Sequence, residues 1–205
     1  YIRKGWINRN RILGTKGKDI YFTVPVEKCP RETPIKDVKI SYNEDWQEKW
    51  MGQLTIYKKR APYYATIMQL VRDVLNCDTQ YISEMAINSV IKTCQYLGIE
   101  LNYDVYSKMN LPLFEVEAPD EWALGITREM KYDTYVNPPG GKTFFDANKY
   151  KKANIELEFL TQEIQKYNQR IREFVPGLSI LDVMMFCTPE EIRSMMDSYK
   201  IEKGE

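Results

Sequence analysis

There is no histidine in these 205 residues, and that single absence removes several mechanisms. Ser-His-Asp and Cys-His nucleophile pairs, and zinc centres built on imidazole, need a group this chain does not hold. Any proton transfer by these residues has to use a carboxylate, a lysine, a tyrosine or a cysteine. Cysteine is itself scarce: Cys29, Cys77, Cys94 and Cys187 are widely spaced, with no CxxC pair. A disulfide framework at that density is not expected, nor is a zinc site, so no metal is assigned. Cys94 and Cys187 lie in apolar helical surroundings and read as buried hydrophobes. The compartment inferred from the cysteines is reducing and cytoplasmic.

Net charge is missing too, since Lys+Arg and Asp+Glu both number 29. No overall field draws the chain onto nucleic acid or anionic lipid. The apolar runs are far short of the roughly 20 residues a membrane span needs. No signal-peptide pattern opens the chain. It begins on Tyr1, inside a polar cluster, and residues upstream of Tyr1 are expected. A hydrophobic content of 43% can build a real core, and the length favours a single domain over 1–205. Oligomeric state stays open, a homo-oligomer being one option.

What is present divides by periodicity. Residues 6–13 and 20–26 read as extended segments around a Gly-rich turn at 14–19, a natural hairpin. A proline-bearing loop leads to a short "VKI" strand. From Asp45 the pattern is helical to Gly98: Trp46, Trp50, Leu54 and Tyr57, then Ile67, Leu70, Val71, Val74 and Leu75. The third stripe is Ile82, Met85, Ala86, Ile91, Cys94 and Leu97. Asp78 or Thr79 is expected to cap that third helix, and Gly98 to end it. Strands are expected at "IELNYDVYS", "YDTYVN" and "IELEF", with helices at 120–131 and 143–152. Thr188 is placed to cap a terminal helix. The fold class is α/β: a short parallel or mixed sheet flanked by helices, a helical section at about 45–98 and an N-terminal hairpin.

The opening "YIRKGWINRNR" crowds Arg3, Lys4, Arg9 and Arg11 with Asn8 and Asn10 around Trp6. Guanidinium forks bind phosphate or carboxylate bidentately, and an amide both donates and accepts. A nucleic-acid grip would spread its cations more widely, so a compact anion or nucleotide pocket fits better. "VNPPGGKTFFD" (136–146) follows a strand, where open α/β sheets place ligands. Gly140 and Gly141 could bare backbone N–H groups to an anion beside Lys142, or could serve only a turn that requires positive φ. It is not a Walker A loop. In "FVPGLSILDVMMF" Ser179 can cap a short helix, and Asp182 is a buried carboxylate expected to pair with Arg or Lys. Tyr167, Gln169 and Arg170 suit a loop over a site and an ordinary surface loop equally well.

In order along the chain, "YIRKGWINRNRI", "YKKRAPYY" (57–64), "YVNPPGGKTFFD" and "FVPGLSILDVMMF" resemble the WbqC-like family. Its members are commonly encoded among bacterial genes for O-antigen and other surface polysaccharides. They typically begin with a strand and a His-Gln-Pro stretch, then an Asp-Asp-Val-Gln-Tyr run whose last residue corresponds to Tyr1. The resemblance implies an aminoacyl or acyl transferase, glycyl transfer included, acting on a nucleotide-linked amino sugar. It implies a nucleotide, ATP or a nucleotide-sugar, as the bound cofactor or substrate. In that scheme Asn8, Arg9, Asn10 and Arg11 surround the anionic part of the substrate. Gly140, Gly141 and Lys142 hold it from across the pocket, and Asp182 orients an arginine. No nucleophile or base is assigned. The alternative is a non-catalytic binding or scaffolding module in the same pathway.

Overall fold

The computed structural model describes residues 1–112 and 114–204. They form two compact units, one of residues 1–102 with 164–195 and one of residues 103–163 with 196–205.

The first unit opens on the expected hairpin. Strand β1 (Arg9–Leu13) pairs antiparallel with β2 (Asp19–Thr23), from Arg9↔Thr23 to Leu13↔Asp19. Period-two alternation puts Asn10 and Ile12 beside Phe22 and Ile20 on one face, with Arg9 and Arg11 beside Thr23 and Tyr21 on the other. Helix α1 (Trp46–Leu54) starts at Asp45, whose carboxylate accepts the Glu48 N–H at 2.9 Å. Its Trp50 packs edge-on against Phe22 at 4.5 Å and donates Nε1–H to Thr23 O at 3.0 Å, clamping α1 to the hairpin.

Pro62 separates α1 from α2 (Tyr64–Leu75), and α3 (Ile82–Leu97) packs against α2. Helix α3 ends at Gly98, at φ +65°, a conformation that costs little only for glycine. Short helices α6 (Ile180–Phe186) and α7 (Pro189–Met196) complete the unit. Thr188 and Glu191 form a capping box at the start of α7: Glu191 N–H donates to Thr188 Oγ1, and Thr188 N–H to the Glu191 carboxylate. The core joins Ile12 and Leu13 to Ile67, Ile82, Met184 and Met185.

One polar group sits inside that core. Asp182 of α6 is 0% exposed. Tyr57 OH donates to its Oδ1 at 2.5 Å, while Tyr167 OH at 2.5 Å and Gln169 Nε2 at 2.9 Å donate to its Oδ2. The Tyr57 hydroxyl oxygen also accepts the Leu13 N–H at 2.8 Å, and Gln169 exchanges bonds with both backbone groups of Val175. The hub therefore ties β1, the turn at Thr55–Tyr57, the 164–179 segment and α6 to one carboxylate. The expected Arg or Lys partner is replaced by tyrosine and glutamine, which satisfy the oxygens without burying a second charge. Burial pushes the Asp182 carboxyl above the usual aspartate range, while the hydrogen bonds from Tyr167, Tyr57 and Gln169 pull it back. Burial first, and then the neighbouring carboxylate, pushes the Tyr57 and Tyr167 hydroxyls upward.

The second unit holds α4 (Glu121–Glu129), β3 (Thr134–Asn137), α5 (Ala147–Lys152), β4 (Glu156–Gln162) and β5 (Tyr199–Lys203). The sheet order is β3-β4-β5, with β3 and β4 parallel and β4 and β5 antiparallel, so the sheet is mixed. Its core is Ala147, Tyr150, Ile155, Leu157 and Phe159. Lys149 of α5 bridges Asp120 at 3.2 Å and Glu121 at 2.7 Å across the start of α4. The Lys149 hydrogen bond, with the backbone N–H groups of Glu117 and Ala118, pulls the Glu121 carboxyl down to about 2.

The α/β class, mixed sheet, hairpin and helical section agree with the sequence. Several local expectations do not. "IELNYDVYS" is irregular and turns through a 3-10 segment at Tyr106–Lys108, because its alternation finds no partner strand for the backbone. "VKI" forms only isolated bridges, Val26↔Ile40 and Lys39↔Tyr81. The third helix is entered through Tyr81, with no side-chain cap on it; Thr79 instead accepts the Tyr81 N–H and bonds Glu84. Strand β5 was not expected, since every residue in it is exposed and hydrophobic pattern gives no signal.

Asp182→Ala would leave the buried Tyr57 hydroxyl and the half-buried Tyr167 hydroxyl without their acceptor, and is expected to cost about 3 kcal/mol or more in urea denaturation. The pH dependence follows from the raised pKa. The folded chain holds this proton more tightly than the unfolded one, so the carboxyl's contribution is full below about 3.9, the ordinary aspartate value. It is lost as pH rises through the folded value. The stability gap between the wild type and Asp182→Ala should therefore narrow as pH rises above about 4, the ordinary aspartate value, and a widening gap would contradict this account.

Candidate functional site

The first unit carries a partly open cavity of about 460 Å³, within the range of roughly 300–1,000 Å³ typical of small-molecule sites. One wall is aliphatic, from Leu70, Val71, Val74 and Leu75 of α2 and Ile82 and Met85 of α3. A second comes from the start of the chain, Trp6, Ile7, Asn8, Arg9 and Asn10, with Phe22 and Val24. Trp50 and the segment Ser179, Ile180 and Leu181 complete the lining. Small and polar residues of α3 (Ala86, Ser89, Thr93 and Cys94) leave the space between the helix and β1 unfilled.

Trp6, Asn8, Arg9, Asn10 and Ser179 are thus brought together around one space. Their states differ. Asn8 is buried and committed to the fold, donating Nδ2–H to Val24 O at 2.8 Å and accepting from Tyr1 OH at 3.0 Å. Asn10 Oδ1 accepts the Arg11 N–H at 2.8 Å. Trp6 is 62% exposed and tilted against Tyr21 at 6.4 Å, so it is not a core residue. The Arg9 guanidinium lies over the Tyr21 ring at 4.5 Å. Its Nε is buried with no hydrogen-bond partner among the described residues, a costly arrangement unless something else meets it. Ser179 is the N-cap of α6, accepting the Leu181 N–H at 3.3 Å.

The remaining candidates stand elsewhere. Arg3 and Lys4 are exposed, Lys4 at φ +62°. Arg11 is engaged within the fold, with Nη1 on Asp19 at 3.2 Å and Nη2 donating to Gly177 O at 2.8 Å. Asp182 sits in its tyrosine hub and orients neither arginine.

Gly140, Gly141 and Lys142 belong to the second unit, at the carboxyl end of β3. Neither glycine has positive φ. They lie in a 3-10 turn, Pro139–Gly141, whose Gly141 O accepts from Phe144 and Phe145. Gly141 is required by close approach, since a Cβ there would fall 2.6 Å from Asn137 Oδ1. Lys142 Nζ pairs with Glu202 at 2.6 Å.

Sequence patterns missed the cavity wall on α3, because Ser89, Val90 and Thr93 lie off the apolar stripe. The one available signal was Val90, an aliphatic residue on a polar face and 51% exposed. Cys187 is buried as expected, and burial pushes its thiol up to about 11. Cys94 is only half-buried, because it fronts the cavity. Among the described residues no group of three or more acidic or cysteine side chains could hold a metal ion. No helix among them is long and apolar enough to cross a membrane.

Chemically, the cavity sets an apolar wall against a lining that includes hydroxyl and amide side chains and Arg9. That combination suits a ligand with an apolar body and a polar or anionic end. No curated protein and no solved structure matches the chain. A family model does, over residues 1–194, which takes in both the cavity-lining segments and the Pro-Gly-Gly turn; the chain belongs to the WbqC-like protein family.

Proposed function

We propose that the first unit binds a nucleotide-linked amino sugar, or the acyl donor that modifies it, and that the chain serves aminoacyl or acyl transfer in bacterial surface-polysaccharide synthesis. The observation that carries this reading is the cavity itself, ligand-sized and aliphatic on the α2–α3 side, with Arg9 and Asn10 on the other. An acyl group or the hydrophobic face of a sugar fits the first wall. Phosphate or carboxylate oxygens suit the guanidinium and amide donors of the second. Membership of the WbqC-like family supports the same pathway. Catalysis on such a surface is mainly positioning and electrostatic stabilisation.

A second reading has an observation of its own. Among the described lining residues none is a carboxylate, lysine or tyrosine, which leaves Cys94 as the one side chain there from the set able to move a proton. That favours a non-catalytic binding module in the same pathway. Turnover separates the two readings: acyl transfer observed with the intact protein supports the enzyme, and tight binding without transfer supports the module.

Calorimetry with UDP- and dTDP-linked amino sugars and with ATP is expected to show binding of one class. Arg9→Ala and Asn10→Ala should each weaken it by about tenfold or more, with little change in Tm. A large loss of Tm on Arg9→Ala would instead assign the guanidinium to the fold. An independent check uses the native cysteines. Iodoacetamide should modify Cys94 slowly in the folded chain, a bound ligand should suppress that reaction, and Cys187 should stay unmodified until the protein unfolds.

A further inference from the structure

Strand β5 ends the sheet order β3-β4-β5, and all its residues are exposed. The hydrogen bonds flanking it establish which of its backbone groups are spent. Gly204 N–H donates to Leu157 O at 2.8 Å, and Glu163 N–H donates to Ser198 O at 2.8 Å. In an antiparallel pair, hydrogen-bonded partners alternate with non-bonded ones. Between those two bonds the register Glu158↔Lys203 to Gln162↔Tyr199 therefore turns Lys200 and Glu202 inward to β4. Tyr199, Ile201 and Lys203 turn their N–H and C=O groups to the open edge.

We propose that this edge pairs with the same edge of a second copy, antiparallel and centred on Ile201. Centring there matches every free group. Ile201 exchanges both hydrogen bonds with the second copy's Ile201, and Tyr199 exchanges both with the second copy's Lys203. Lys200 then stands opposite the second copy's Glu202 in the non-bonded pair, where side chains approach most closely. The sequence Tyr-Lys-Ile-Glu-Lys is thus complementary to itself about its middle residue.

Lysines on an edge strand ordinarily discourage pairing, but in this register Lys200 meets an opposite charge and Lys203 stands opposite the second copy's Tyr199. Within one chain, Lys200 pairs with Glu163 and Lys142 pairs with Glu202, each at 2.6 Å. Such exposed pairs contribute little and do not hold these side chains back. The other face of the strand carries Tyr199 and Ile201, each 47% exposed, and the pairing covers both. The interface lies in the second unit, and β5 lies beyond the residues matched by the family model. The proposal does not depend on what the cavity binds.

Sedimentation velocity of the whole chain, at concentrations up to on the order of 0.1 mM, is expected to show a concentration-dependent dimer. Ile201→Pro removes an N–H that makes no bond to β4, so the monomer should tolerate it, while the dimer should weaken by about tenfold or more. Lys200→Glu and Glu202→Lys should each abolish self-association by like charge, and an equimolar mixture of the two should restore a heterodimer. A monomeric wild type would overturn the proposal. So would a dimer indifferent to Ile201→Pro and to the charge exchange.

Discussion

Burying the carboxylate of Asp182 is the constraint around which the first unit is arranged. A lone buried charge costs several kcal/mol unless each oxygen finds a donor. The donors come from distant parts of the chain: Tyr57, Tyr167 and Gln169. Because the Tyr57 hydroxyl that donates to Asp182 also accepts the Leu13 N–H, the same network fixes where β1 lies. The irregular segment 164–179 has little secondary structure of its own. It is held by Gln169 binding Val175 on both sides and by the Arg11 guanidinium on Gly177 O. Satisfying one group thus orders a loop, a strand and a helix together.

The cavity is a consequence of that arrangement. The hub and the Trp50 clamp hold the hairpin in place, while α3 offers it Ala86, Ser89 and Thr93 rather than large side chains. A packed interior would fill this volume; here the side chains that α3 turns to it are small. Arg9 illustrates the cost, with a guanidinium stacked on Tyr21 and one nitrogen left without a protein partner.

Parts of this were legible beforehand. Alternation of amide and guanidinium in "INRNR" is a period-two pattern, and the hairpin does place Asn10 and the arginines on opposite faces. Ser179 and Thr188 read correctly as caps, because capping is decided within a few residues. The roles of the arginines were not legible: nothing local distinguishes Arg11, engaged with Asp19 and Gly177, from Arg9 on the cavity wall. Asp182 was recognised as buried, but its partners lie 125, 15 and 13 residues away in the chain.

The sequence by itself determined the elements whose causes are local: helical stripes from 45 to 98, the Gly98 stop, the hairpin, the caps, and family membership carried by ordered motifs. Tertiary structure alone decided what depends on partners. It left "IELNYDVYS" irregular because no strand lies beside it, and made the exposed Tyr199–Lys203 a strand because β4 does. It gave Asp182 tyrosines in place of an arginine, and left a cavity where α3 is too small to fill the space beside β1. The physical reason is the same in each case. A backbone ladder, a buried charge and a void are set by groups that meet in space, and spacing along the chain does not record which groups those are.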